Sequence, residues 1–170
     1  MVNRAAMTAV ATALLLFAPT AHAEDKDKEP VRLELGGAAE GSLQGGGGSF
    51  GPTVALDIPM IPDWLEIETG VTPLFGNNHT EWDSDLLFKK PYELSKSVEF
   101  EIGVGPAWLH ATAGGRTTNS LGGEAVLEFQ IWPSADRKLG WFLESSYGYD
   151  FGSGHEQSLG VTLGLLIPLR

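Results

Sequence analysis

From residue 31 onward, apolar side chains alternate along this chain with polar, charged or very small ones. Residues 97–110 show the pattern clearly. Val98, Phe100, Ile102, Val104, Pro106 and Trp108 share one parity; Ser97, Glu99, Glu101, Gly103, Gly105 and Ala107 share the other. Successive side chains of a strand point to opposite faces, so a period of two predicts a two-faced strand. The same reading predicts eight strands, over residues 31–39, 50–58, 64–75, 81–90, 97–110, 121–132, 139–149 and 157–169. The last is the cleanest, with Leu159, Val161, Leu163, Leu165, Ile167 and Leu169 set against Ser158, Gly160, Thr162 and Gly164. No stretch of residues 31–169 has the apolar period of a helix.

The connections fall into two sets. Residues 59–63, 91–96 and 133–138 are short and each contains proline. Residues 39–49, 76–80, 111–120 and 150–156 are mostly longer and rich in Gly, Asn, Ser and Thr, with Gly45 to Gly48 reading as a flexible tip. An antiparallel meander places these sets at opposite ends, and an even strand number puts both termini at the short-turn end.

Composition adds a leader and a charge. Arg4, the apolar stretch 5–18 and the small-x-small site Ala21-His22-Ala23 form a secretory signal. The chain therefore divides into a signal peptide (1–23), a charged tail (24–30) and a single barrel domain (31–170). Removing residues 1–23 takes away Arg4 and no acid, leaving 10 basic against 22 acidic side chains, a net charge of −12. That balance argues against a nucleic-acid partner, which requires a basic footprint. The absence of cysteine rules out a disulfide framework and a lipoprotein attachment.

In architecture the mature chain resembles the small eight-stranded outer-membrane barrels, the OmpA- and OmpX-like family, over residues 31–169. The resemblance rests on strand number, alternation and loop asymmetry. It implies an all-β, up-and-down transmembrane β-barrel in the outer membrane. It also implies outer-membrane lipid as its surroundings, the barrel-assembly machinery as a partner during biogenesis, and no cofactor. Members usually finish on an aromatic residue, whereas this chain reads Leu165-Leu166-Ile167-Pro168-Leu169-Arg170.

Alternation alone does not say which face is outside. A membrane barrel turns its apolar face to lipid, whereas a soluble periplasmic, lipocalin-like barrel turns it to a ligand cavity. Trp82, Trp108, Tyr147 and Tyr149 lie on the apolar parity near the long-loop ends, and Trp141 and Phe88 near the short-turn ends. The middles are aliphatic apart from Phe100 and Phe129. Two aromatic belts are a membrane signature. Glycines on the polar parity suit a narrow lumen. The acids of that parity oppose the membrane reading: Glu34, Glu66, Glu68, Asp83, Asp85, Glu99, Glu101, Glu124, Glu128 and Glu144 are answered only by Arg32 and Lys89. A buried excess of carboxylates is costly. It is relieved by a water-filled polar plug, by shared protons, or by a hard cation among the oxygens.

The expected function is that of a structural or interaction protein with no wide pore and no catalytic residues, its loops contacting partners or the environment. Two alternatives stand beside it: the soluble ligand-binding barrel and an outer-membrane lipid-modifying enzyme. The enzyme reading rests on Gly154-His155-Glu156-Gln157-Ser158, yet neighbouring residues of a strand point to opposite faces and a catalytic triad is a matter of geometry. His79, His110 and His155 lie in or beside the loops of one end and are the candidate transition-metal ligands.

Overall fold

A computed structural model describes residues 29–45, 47–152 and 154–169 of the chain. The signal peptide, residues 24–28 of the tail, and Arg170 lie outside the described residues. Eight antiparallel strands form a closed barrel in chain order, β1 (Val31–Ser42), β2 (Gly48–Ile61), β3 (Leu65–Gly76), β4 (His79–Ser95), β5 (Val98–Ala113), β6 (Arg116–Ile131), β7 (Gly140–Asp150) and β8 (Gln157–Leu169). β1 pairs with β8 from Val31↔Leu169 to Ser42↔Ser158, so no strand of the wall is left as a full edge.

The base of the barrel carries the ends of β1 and β8 and the connections 62–64, 96–97 and 132–139. The rim carries the β1–β2, β3–β4, β5–β6 and β7–β8 connections. The expected asymmetry of loop length is therefore absent, and the strands differ instead. Residues 111–120, read from sequence as a loop, continue β5 and β6 up to a two-residue turn. Both turn residues, Gly114 (φ 55°) and Gly115 (φ 79°), are left-handed, as this kind of hairpin turn requires. Ala111-Thr112-Ala113 on one side and Arg116-Thr117-Thr118 on the other extend the ladder as far as Ala113↔Arg116. At the base, Pro91 lies within β4 opposite Glu101, and the strand runs on to Ser95. The longest base connection, 132–139, holds the segment expected to be short.

Every strand turns its apolar parity outward. Ile102, Val104, Leu121, Leu127, Leu163 and Val161 are all exposed, whereas Glu66, Glu101, Glu128, Asp57 and Lys89 are buried. This geometry overturns the soluble ligand-binding alternative, which needs the apolar face inside. An exposed apolar face encircling a protein marks contact with a partner or a membrane. Trp82, Trp108, Tyr147 and Tyr149 all lie on the outer face near the rim, joined there by Phe50 and Phe75, which pair across β2 and β3. Near the base stand Trp141 and Trp64, and a row made by Tyr92, Phe100 and Phe129, whose ring centroids are 6.4 and 4.8 Å apart. Phe100 and Phe129 thus belong to the lower belt. Phe88, placed by sequence at the short-turn end, sits seven residues from the end of β4, because the strand is longer than its alternation suggested.

Candidate functional site

The lumen begins at the base with an apolar seal. Trp132, Phe142 and Leu166 are almost fully buried against one another. Arg137, held in connection 132–139 with a positive φ of 43°, lies 5.6 Å over the Trp132 ring. Its guanidinium also donates to Glu99 Oε1 at 2.6 Å.

Above the seal, carboxylates line the wall in adjacent register. Glu101 pairs with Glu128, Glu128 with Glu144, and Asp57 with Glu68. Like charges directly opposite each other destabilise a sheet. Two long basic side chains cross the lumen to offset this. Arg32 reaches Asp57 (Nε to Oδ2, 2.9 Å) and Glu66, with Glu101 and Glu99 at 3.3 and 3.6 Å. Lys89 reaches Glu68 and Glu128, with Glu144 at 3.3 Å and Glu101 at 3.9 Å. Glu101 joins the two groups: its Oε1 also accepts from Gln130 Nε2 at 2.8 Å. Lys89 has room because the residue opposite it on β5 is glycine. A Cβ on Gly103 would lie 2.8 Å from Lys89 Cγ and 2.7 Å from Val126 Cγ2, too close for either to stay in place.

The upper lumen is different. A shaft open at the rim descends inside the barrel as two adjoining cavities of about 40 and 70 Å³, which share Glu40, Asp83 and Glu124 in their walls. Asp150, Glu156 and Glu81 stand at its mouth, Asp83 and Glu124 at mid-depth with Asp85, and Glu34, Glu68 and Glu144 toward its floor. No Lys, Arg or His is among the described residues that line it. Asp85 Oδ1 accepts the Gly70 amide at 3.0 Å, and Asp150 accepts from Ser120 at 2.9 Å and the Gly152 amide at 2.6 Å. Asp83 Oδ1 is buried without a hydrogen-bond partner among the described residues.

The lumen thus contains every carboxylate singled out from the sequence: Glu66, Glu99 and Glu101 in the lower network, Glu68, Glu128 and Glu144 around Lys89, and Asp83, Asp85, Glu124 and, at the floor, Glu34 in the shaft. It also holds Asp57, Glu40 and Glu81, which sequence reasoning passed over although each sits on the inward parity of its strand. Arg137 was passed over as well; its approach to Glu99 comes from a loop 38 residues away, and nothing local announces it.

The three histidines are not brought together as a metal site among the described residues. His110 lies on the outer face beside Trp108, with Nδ1 2.7 Å from Asn119 Oδ1. His79 starts β4 on the inward parity, and His155 stacks on Tyr149 at a positive φ of 49°. Ser158 points into the lumen against Gly148, and no hydrogen bond among the described residues joins it to His155. At the base, outside the barrel wall, Lys138 and Ser134 hydrogen-bond the Asp136 carboxylate and hold its pKa down at about 2.

A closed eight-stranded meander with an apolar exterior, aromatic rows near both ends and a polar interior filled by side chains is the fold of the small transmembrane β-barrels. Among solved structures, the chain is similar to Neisserial surface protein A (TM-score 0.66, 14% identity, covering 82% of this chain and 96% of that one). It is also similar to Ail, the attachment invasion locus protein of Yersinia pestis (TM-score 0.59, 12% identity, 84% and 100%), and to the outer membrane enzyme PagL (TM-score 0.54, 13% identity, 80% and 99%). These neighbours point to the outer membrane. No protein-family model matches the sequence, and no curated protein does.

Proposed function

We propose that this protein is an outer-membrane β-barrel of the structural or interaction type, without a wide pore, whose rim meets partners or the environment. The observation that carries this reading is the contrast between the two faces of each strand. The outer face is an apolar band between aromatic rows, suited to lipid. The inner face is crossed by Arg32 and Lys89 and sealed by Trp132, Phe142 and Leu166. The rim offers the raised β5–β6 hairpin, where Arg116 to Ser120 of β6 extend beyond the last β7 pair, Gly122↔Asp150. That polar stretch has no strand beside it on the β7 side among the described residues, an edge to which a partner's backbone could add. In this reading outer-membrane lipid surrounds the band, the barrel-assembly machinery inserts the chain, and the protein acts by contact without catalysis.

Extraction and electrophoresis test it. The mature protein is expected to require detergent, to migrate differently before and after boiling, and to give no sustained conductance in planar bilayers. A mature protein that is soluble and monomeric without detergent overturns the reading. Steady pore currents would remove its no-pore element, and lipid deacylation lost on His155→Ala would replace contact with catalysis.

A further inference from the structure

The shaft floor holds a charge that its neighbours leave unanswered. Glu34 is 2% exposed and lines the shaft, yet it makes no hydrogen bond or ion pair among the described residues, and its Oε1 is buried without a partner. Lys89 is no remedy: its ammonium is committed to Glu68 Oε2 and Glu128 Oε2 and does not line the void. Glu128 keeps a second oxygen, Oε1, that is likewise buried and unpaired. Glu34, Glu68 and Glu144 line the floor and Glu128 lies just beneath it; counting Lys89 against the four leaves three formal negative charges there.

One oxygen from each of Glu34, Glu68 and Glu128 lies within 4.8 Å of the others. Calcium binds carboxylate oxygens at about 2.3–2.6 Å, so two ligands across the ion are at most about 5 Å apart. Magnesium, at about 2.0–2.1 Å, needs a tighter cage. In the other buried triad, Asp57, Glu66 and Glu101, Arg32 reaches all three carboxylates and none of them lines the shaft; in the first, Lys89 holds Glu68 and Glu128, while Glu34 has no partner among the described residues.

We propose that the floor of the shaft is a binding site for a single hard divalent cation of calcium size, held by Glu34, Glu68 and Glu128 and reached from the rim. The acids along the shaft concentrate cations at its mouth and draw them down. Water in the shaft completes the coordination sphere, as calcium sites commonly allow. The inference depends on the lumen alone and is independent of what the rim contacts.

The test uses the full mature barrel refolded in detergent, with calcium as the probe. Equilibrium dialysis is expected to find one tightly held calcium per chain, released by chelator. Thermal unfolding, read by loss of the unboiled gel band, is expected to shift upward with calcium and less with magnesium. Glu34→Gln is expected to weaken that binding by about tenfold or more and abolish the shift, while Asp136→Asn at the base leaves both unchanged. No calcium bound to the folded wild-type barrel overturns the proposal. So does an unaltered stoichiometry and melting shift in Glu34→Gln, which would place the ions on the rim acids. If Glu34→Gln does not fold, the wild-type stoichiometry and its reversal by chelator decide the matter. The unboiled gel band reports barrel folding separately, so failure to bind calcium is distinguishable from failure of the membrane-barrel reading.

Discussion

Near the base, Glu68, Glu101, Glu128 and Glu144 surround Lys89, and Asp57, Glu66 and Glu99 surround Arg32. Toward the rim, Asp83, Asp85 and Glu124 line a shaft to which no basic side chain among the described residues contributes. Both halves are built from inward-facing carboxylates on neighbouring strands. They differ in what answers the charge. In the lower half, cations from the chain tie opposite walls together and exclude space. In the upper half the charge is left to whatever enters from outside. The lower half therefore serves stability and closure, and the proposed cation site lies where the two halves meet, at Glu34 beside Glu68 and Glu128.

The largest break in that comparison comes from Lys89→Met. It strips the ammonium from the buried Glu68 and Glu128 and the largely buried Glu144, all within 3.3 Å, and leaves them facing one another. Losing one partner of a buried charge group costs about 3–5 kcal/mol, so the urea midpoint of the barrel should fall steeply. Gly103→Ala should come next. Its Cβ intrudes on the Lys89 stem and Val126, and overpacking of this kind costs about 1–3 kcal/mol. Asp83→Asn is expected to behave in the opposite sense. It removes a charge from an unanswered group and should leave the midpoint unchanged or raise it by up to about 1 kcal/mol, the scale of a relieved like-charge pair. A fall of Lys89→Met size in Asp83→Asn would erase the distinction between the two halves.

The smallest effect is one of pH at the base. The Asp136 pKa is depressed to about 2 from an ordinary 3.8. A carboxylate with a depressed folded-state pKa stabilises above its unfolded pKa and loses that contribution as pH falls through the folded one. Asp136→Asn should therefore converge on wild type only below about pH 2 and differ slightly above about pH 4. Because the pair with Lys138 is exposed, the difference should shrink in high salt.

Much of this was legible in the sequence because parity is a local property. Glu101 and Ile102 are neighbours in the chain, and the strand period alone sends them to opposite faces. Strand ends were less legible. The rim half of the β5–β6 hairpin consists of Ala, Thr, Asn and Ser with a Gly-Gly turn, a composition shared by loops and exposed strands, and only the ladder to β4 and across the hairpin distinguishes them. Phe100 joined the lower belt and Phe88 left it for the same reason: each position along the barrel axis depends on where its strand stops. Asp57 was readable from its inward parity beside Thr53 and Ala55. Arg137 was not, because it reaches Glu99 from a loop with no period. Nor does any pattern show that Lys89 is enclosed while Glu34 stands unpaired, since that depends on how far two side chains reach across a closed lumen.

The central claim is that the apolar face meets lipid and the acidic face is enclosed. The chain has no cysteine, so single cysteines can report it. Ile102→Cys and Val126→Cys, one outward and exposed, the other inward and 1% exposed, would be placed separately in the barrel reconstituted in bilayers. A thiol reagent dissolved in the lipid phase should modify Ile102→Cys and spare Val126→Cys. Modification of Val126→Cys with Ile102→Cys protected, or reaction of Ile102→Cys only with a water-soluble reagent, would contradict the account.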